Sequence, residues 1–256
     1  MLVDNAVLAV ENQRYISAEI SEEGELFGRP MAGVGHYFEM RNGPIPMIHL
    51  DLTIRVDSVS TSLMQVCNGT TFWTYRKLPF AETLSKLDAV RAITALEQAA
   101  GRMPPGAVMS SPGLGGLGRL MRGLNARFDF TSVQGDVEEG MPVWKLTGVW
   151  KAEVLARLLP DQKDAVAKGR SYDTSRLSAR LPDGVVIFLR QHDYFPLRID
   201  YCRGASKSAP RCLLSLKFKD VSFNGPIESS QFLFTPGSLE YSDRTDEFVR
   251  SLGVTP

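Results

Sequence analysis

Gly113, Gly115 and Gly118 carry the G-x-G-x-x-G spacing of a dinucleotide loop, the arrangement in this chain best placed to hold a nucleotide. Such a loop works because a buried strand feeds a glycine turn, which lets a pyrophosphate reach the backbone N–H groups at a helix N-terminus. Here Pro104, Pro105 and Pro112 precede the segment and no parallel-strand pattern flanks it, so the context argues against a nucleotide. His36, His49 and His192 are too far apart for a zinc motif, and there is no H-E-x-x-H or C-x-x-C. No metal and no cofactor are expected. His192 and Asp193 could orient an acid or a base, but strand neighbours point to opposite faces and no G-x-S-x-G nucleophile accompanies them. A triad is assembled by geometry rather than sequence order, so a lipid esterase stays open as the lesser alternative. No catalytic residue is assigned, and a non-enzymatic role is expected.

The same glycine-rich segment reads better as an apolar helix. Leu114, Leu117, Leu120, Met121 and Leu124 share one helical stripe, while Arg119 and Arg122 fall outside it. Each interior glycine costs about 1 kcal/mol of helix stability, so such a helix depends on tertiary contacts. Two readings remain: an ordinary core helix with a loose start, or a movable lid.

The elements that must position this helix are mostly strands. Tyr15–Phe27, Gly33–Met40 and Ile48–Val56 alternate, and Leu50, Leu52, Ile54 and Val56 share one face of the third. Ser60–Cys67 and Thr70–Tyr75 flank Asn68-Gly69, a strong hairpin signal. Ser85–Ala100 changes to a helical period through Leu87, Val90, Ile93 and Leu96. Strands return at 126–137, 142–151, 185–191, 197–203, 211–223 and 232–235, with short helical pieces at 152–159 and 161–168 and a closing helix at 243–252. Roughly ten strands joined by short turns demand antiparallel pairing. A twisted sheet of this size curls, and its concave face needs filling. The expected fold is therefore mainly β with added helices (α+β): one domain over 1–256, a curved antiparallel sheet forming an open half-barrel. Helical lid segments are expected at about 85–100 and 113–125.

Across 256 residues, 29 basic and 29 acidic side chains cancel, leaving no field to attract nucleic acid or an anionic membrane. No run is long and apolar enough for a transmembrane helix, and the first residues lack the pattern of a signal peptide. Cys202 and Cys212 flank a turn at Ala205–Pro210 and would face each other; a cross-strand disulfide and a pair of buried thiols are both open, with Cys67 left over.

Several stretches resemble the LolA-like superfamily, the bacterial outer-membrane lipoprotein carriers, and more closely the divergent LolA-like proteins of planctomycetes. They are Val59–Tyr75 with its Asn-Gly-x-x-x-Trp-x-Tyr pattern, Leu84–Arg91, Gly113–Leu124 before Phe128-Asp-Phe130, and Phe232–Pro236 with Asp243-Arg-Thr245. The resemblance covers most of the chain and implies an open barrel capped by helices, a monomer, whose apolar cavity takes lipid or lipoprotein acyl chains in the periplasm. It also implies export; without it, a cytoplasmic location would follow. Carriers of that family latch the lid with an arginine on an early strand; Arg41 and Arg55 both qualify, and neither is assigned. On this reading Leu50, Leu52, Ile54, Val56, Leu63, Trp73, Phe128, Phe130 and Trp144 line the cavity, and the leucines and Met121 of the glycine-rich helix form the lid. The alternative is a structural or interaction module of the cell envelope, with envelope protein partners and a filled core.

Overall fold

The computed structural model describes residues 2–26, 28–99, 113–170, 172–179, 181–204 and 210–254. After helix α1 (Leu2–Glu11), six strands follow as hairpins: β1 (Tyr15–Leu26), β2 (Arg29–Met40), β3 (Met47–Val56), β4 (Val59–Cys67), β5 (Thr71–Leu78) and β6 (Ala81–Asp88). Helices α2 (Ala89–Gln98) and α3 (Gly116–Arg127) precede β7 (Phe128–Glu138) and β8 (Met141–Trp150). Short helices α4 (Ala152–Leu158) and α5 (Lys163–Ala167) lead to β9 (Gly184–Arg190), β10 (Pro196–Arg203) and β11 (Arg211–Phe223). The chain then forms β12 (Ser242–Asp243) and α6 (Thr245–Ser251).

The strands form one 12-stranded sheet in the order β12-β6-β5-β4-β3-β2-β1-β11-β10-β9-β8-β7. Every ladder is antiparallel except that of β12 on β6. Two meanders, β1–β6 and β7–β11, are joined by the pairing of β1 with β11, and the outermost strands do not meet, so the sheet is an open half-barrel. At the β4–β5 turn Gly69 adopts φ +90°, and the Asn68 side chain accepts from the N–H groups of Thr70 and Thr71 at 3.0 and 2.8 Å. The core lies on the concave face, where Ile16, Ile20, Tyr37, Leu50 and Leu52 from the first meander meet Leu146, Ile187, Ile199 and Phe218 from the second.

Two segments differ from the sequence reading. The helix expected over Ser85–Ala100 begins at Ala89, and Ser85–Asp88 complete β6. Leu87 pairs with Phe72 on β6, so its three-residue spacing to Val90 of α2 runs across a strand-to-helix boundary and merely imitated the start of a helical stripe. Asp88 caps α2 by accepting from Arg91 N–H at 2.9 Å. The last turns of α2 pack on α6 through Ala95, Ala99, Val249 and Leu252, a separate small cluster, and α1 and α3 cover the concave face.

The strand expected at Phe232–Thr235 is instead part of a strap. Its backbone bonds close local turns, Gln231 N–H to Glu228 C=O at 3.0 Å and Leu233 N–H to Ser230 C=O at 3.1 Å. Pro236 has no N–H for a ladder. The strap crosses the convex face, burying Phe232 completely and setting the Phe234 and Tyr241 rings 5.5 and 5.1 Å from that of Trp73. His49 anchors it: Nδ1 lies 2.7 Å from the Gln231 carbonyl and Nε2 lies 3.4 Å from Asp51.

Both His49 ring nitrogens can donate only in the imidazolium form. The hydrogen bond to Asp51, followed by that to Gln231, raises the pKa of His49 above its ordinary 6.5. The anchor therefore contributes fully below the ordinary value and is lost as pH rises through the folded one. Asp51, lowered chiefly by His49, sets the opposite limit, its contribution fading only in acid. Amide protection over 226–241, measured by hydrogen exchange and corrected for intrinsic rates, should fall between mildly acidic and mildly alkaline pH; in His49→Phe it should be low and flat.

Candidate functional site

The chain leaves the first meander at β6 and re-enters the sheet at β7, which lie toward opposite edges, so its connection has to cross the open mouth. α3 makes that crossing; 12 residues of helix span roughly 18 Å. It lies antiparallel to α1, tied by Arg122 to Glu11 at 2.5 Å and by Asn125 to Asp4 at 2.7 Å. Leu117, Leu120, Met121 and Leu124 are buried against the core together with Val3, Ala6 and Val10 of α1. Their burial contributes roughly 1.5–3 kcal/mol per large side chain before ordering costs. Leu114 is half-buried in the turn ahead of the helix.

The helix begins on a buried carboxylate. Gly115 occupies the N-cap in the left-handed region, φ +88°, and has no side chain with which to cap. The N–H of Leu117 instead donates to Glu39 Oε2 and to the Tyr37 hydroxyl, both at 3.1 Å. The Tyr37 hydroxyl in turn donates to the same Glu39 oxygen, and the Arg41 guanidinium pairs with the other. The Glu39 side chain has no solvent-exposed surface. Burial, then the charge of Glu39, pushes the Tyr37 phenol well above its ordinary 10, which keeps it a donor.

Close packing at this end of the helix accounts for Gly116 and Gly118. A Cβ on Gly116, whose φ is +79°, would stand 2.8 Å from Glu39 Oε2, and one on Gly118 would stand 2.9 Å from Glu11 Cγ and 3.0 Å from Arg41 Nη2. The segment does what a dinucleotide loop does, presenting backbone donors and a positive helix end to an anion, but here the anion belongs to the protein's own β2. Sequence reading had not singled out Glu39. Its available signal was an acid in phase with Tyr37 on a strand, where the alternation calls for an inward-facing residue.

Leu50 and Leu52 are buried on the concave face, and Ile54, Val56 and Leu63 continue it, half-buried. Phe128, Phe130 and Trp144 belong to the same face, Phe128 stacking on Trp150 at 4.3 Å between ring centres. Trp73 does not: it pairs with Val66 and Lys86 on the convex face, under the strap, because β5 alternates and Phe72 and Thr74 take the inward positions. Arg41 lies beside α3, whereas Arg55 is exposed on the outer side of β3. Cys202 and Cys212 are partners in register, as free thiols; the hydrogen bond between them raises the pKa of Cys202 and lowers that of Cys212. Residues 205–209 of the expected turn lie outside the described residues. His192 has 72% of its side-chain surface exposed and sits 3.5 Å from Asp193, which Arg190 holds at 2.6 and 2.9 Å. No serine hydrogen-bonds it among the described residues. No cluster of three metal-ligating side chains occurs among the described residues, and no helix there is long and apolar enough to cross a membrane.

No family model and no curated protein matches the chain. Among solved structures it is similar in layout to the Mycobacterium tuberculosis lipoprotein LppX, with 13% identity, a TM-score of 0.42, and 89% of this chain and 96% of that one covered. A DUF1329 family protein from Desulfovibrio piger is similar at 10% identity and a TM-score of 0.36, covering 91% and 95%. A LolA superfamily protein from Nitrosomonas europaea is similar at 6% identity and a TM-score of 0.30, covering 91% and 96%.

Gly116→Ala should destabilise the protein by about 1–3 kcal/mol, from left-handed strain plus the clash with Glu39. Gly123→Ala meets only the flexible end of Arg127, 3.1 Å away, and should stabilise by about 0.5–1 kcal/mol. Urea denaturation gives both signs, and proteolysis within 113–127 should rise for the first variant alone.

Proposed function

We propose that this protein is a non-enzymatic carrier or binding protein of the cell envelope that takes an acyl or lipid chain on its concave face, with α3 as the lid. The observation that carries this reading is the way α3 is held. Its apolar stripe covers the lining residues, but its glycines make it a poor autonomous helix, and a buried polar cluster on β2 fixes its start. A permanent core gains little from a buried ion pair, because apolar side chains of similar volume are commonly as stabilising or more so. A directional latch makes sense where the element must leave and return to one position. An acyl chain would replace the apolar contacts of Leu117, Leu120, Met121 and Leu124, so on this reading lid and ligand exclude each other, and the docked α3 is the closed form.

The dense packing of these side chains also favours a second reading, an envelope interaction module whose core stays filled. The two differ in one measurement. A carrier binds a fluorescent acyl probe such as dansyl-undecanoate, and native mass spectrometry of the protein from cells shows associated lipid. A filled module does neither.

Leu120→Asp places a charge under the lid, where burial would cost several kcal/mol, so α3 should undock while the sheet stays folded. Fluorescence titration should then show altered probe affinity beside a wild-type circular dichroism spectrum. Unchanged affinity would mean that α3 does not gate the face.

A further inference from the structure

Glu22 lies on the concave face of β1, in phase with Ile16, Ala18 and Ile20, which are buried. Register places it in a row that runs across both meanders: Ile54 and Gly33 on one side, Leu216, Ile199 and Ile187 on the other. Glu22 is the only charged member of that run. It is half-buried, and among the described residues no hydrogen bond or ion pair reaches its carboxyl. The flanking strands turn Gly33 and Gly35 (β2) and Leu214, Leu216 and Phe218 (β11) to this face, none of them ionisable; Glu23, Lys217 and Lys219 belong to the other face. Gly33 contributes no side chain beside it; a Cβ there would lie 3.5 Å from Glu22 Cβ and 3.4 Å from Ile54 Cγ1, so Glu22 is flanked on that side by backbone and by Ile54.

We propose that Glu22 is the polar anchor of the ligand site, and that the site prefers amphiphiles carrying an amine head group, whose ammonium pairs with the Glu22 carboxylate while the chain lies along the apolar row. The inference rests on the carrier reading and specifies its ligand class. Glu39 is already satisfied by Tyr37, Arg41 and Leu117, so Glu22 is the carboxyl on this face left to recognise something from outside. A lone carboxyl in an apolar surround invites a partner, because ionising it there without one is unfavourable.

Burial raises the Glu22 pKa from its ordinary 4.5 to about 7, with no charged group acting on it. An alkylamine stays cationic well above that pH, as lysine does with its pKa of about 10.4. Amine affinity should therefore rise as pH rises through 7, and below it binding should release a proton from Glu22.

The test compares dodecylamine, dodecanol and laurate by calorimetry on the full chain at pH 6 and pH 8, below their micellar concentrations. Expected is a preference for dodecylamine over dodecanol of roughly tenfold or more at pH 8, smaller at pH 6. At pH 6, the heat should depend on the ionisation enthalpy of the buffer. Glu22→Gln, nearly isosteric and relieved of an unpaired acid, should keep dodecanol affinity and lose the amine preference and its pH dependence. A wild type without preference, or a Glu22→Gln variant that retains it, overturns the anchor while leaving the carrier reading intact. Failure of all three ligands to bind overturns both.

Discussion

The carboxylate of Glu39 is the point on which the concave side of this protein is organised. An unpaired anion so deeply buried would cost several kcal/mol, and three donors remove that penalty: the Tyr37 hydroxyl, the Arg41 guanidinium and the N–H of Leu117. Tyr37 lies on the anion's own strand and Arg41 follows one residue past its end, so both stand beside it once β2 forms. The third arrives only when α3 docks. The carboxylate therefore acts as a remote N-cap for a helix whose own N-cap residue is a glycine, and the helix end supplies the partial positive charge that the carboxylate still lacks. Two of the glycines follow from this docking, since a Cβ at 116 would press on the acid and one at 118 on Glu11 and Arg41.

Topology explains why α3 joins α1 over the concave face. The two meanders join through β1 and β11, which leaves β6 and β7 far apart in strand order, and the segment between them must pass over the open side. A segment so placed can be buried without strong helix propensity, because the sheet supplies its contacts and α1 its flank. The same freedom makes it the covering element least able to persist alone. Local weakness and tertiary dependence are thus two aspects of one arrangement, and they separate α3 from the sheet beneath it, whose antiparallel ladders sustain themselves.

Much of this was legible in the sequence because strands with one buried face write an alternating pattern. The first five strands, the Asn68-Gly69 turn, the second meander and the apolar stripe of α3 could be read in that way. The end of β6 was hidden because Leu87 stands three residues before Val90 of α2, a spacing that also suits a helix. Trp73 was misplaced because a strand covered on both faces is apolar on both, so composition cannot say which side is concave; only register with Phe72 and Thr74 decides. The strap was beyond reach for a related reason. Its aromatics are held by partners more than 150 positions earlier in the chain, and its backbone closes on itself in turns.

Glu39 and Glu22 show how far residue type falls short of environment. Both are acids on inward positions of neighbouring strands, and the alternation treats them alike. Glu39 lies beside the Arg41 guanidinium and under a helix end, so the docked α3 completes its coordination. Glu22 stands among aliphatic side chains and glycines, and the docked α3 gives it nothing. The docked helix therefore answers one acid and leaves the other unanswered. A bound chain with a cationic head would reverse the balance, satisfying Glu22 and replacing the leucine stripe, while Glu39 keeps Tyr37 and Arg41 and loses only the helix N–H. On the carrier reading proposed above, such opposing contributions on one face would let α3 exchange between docked and displaced states rather than being locked in either.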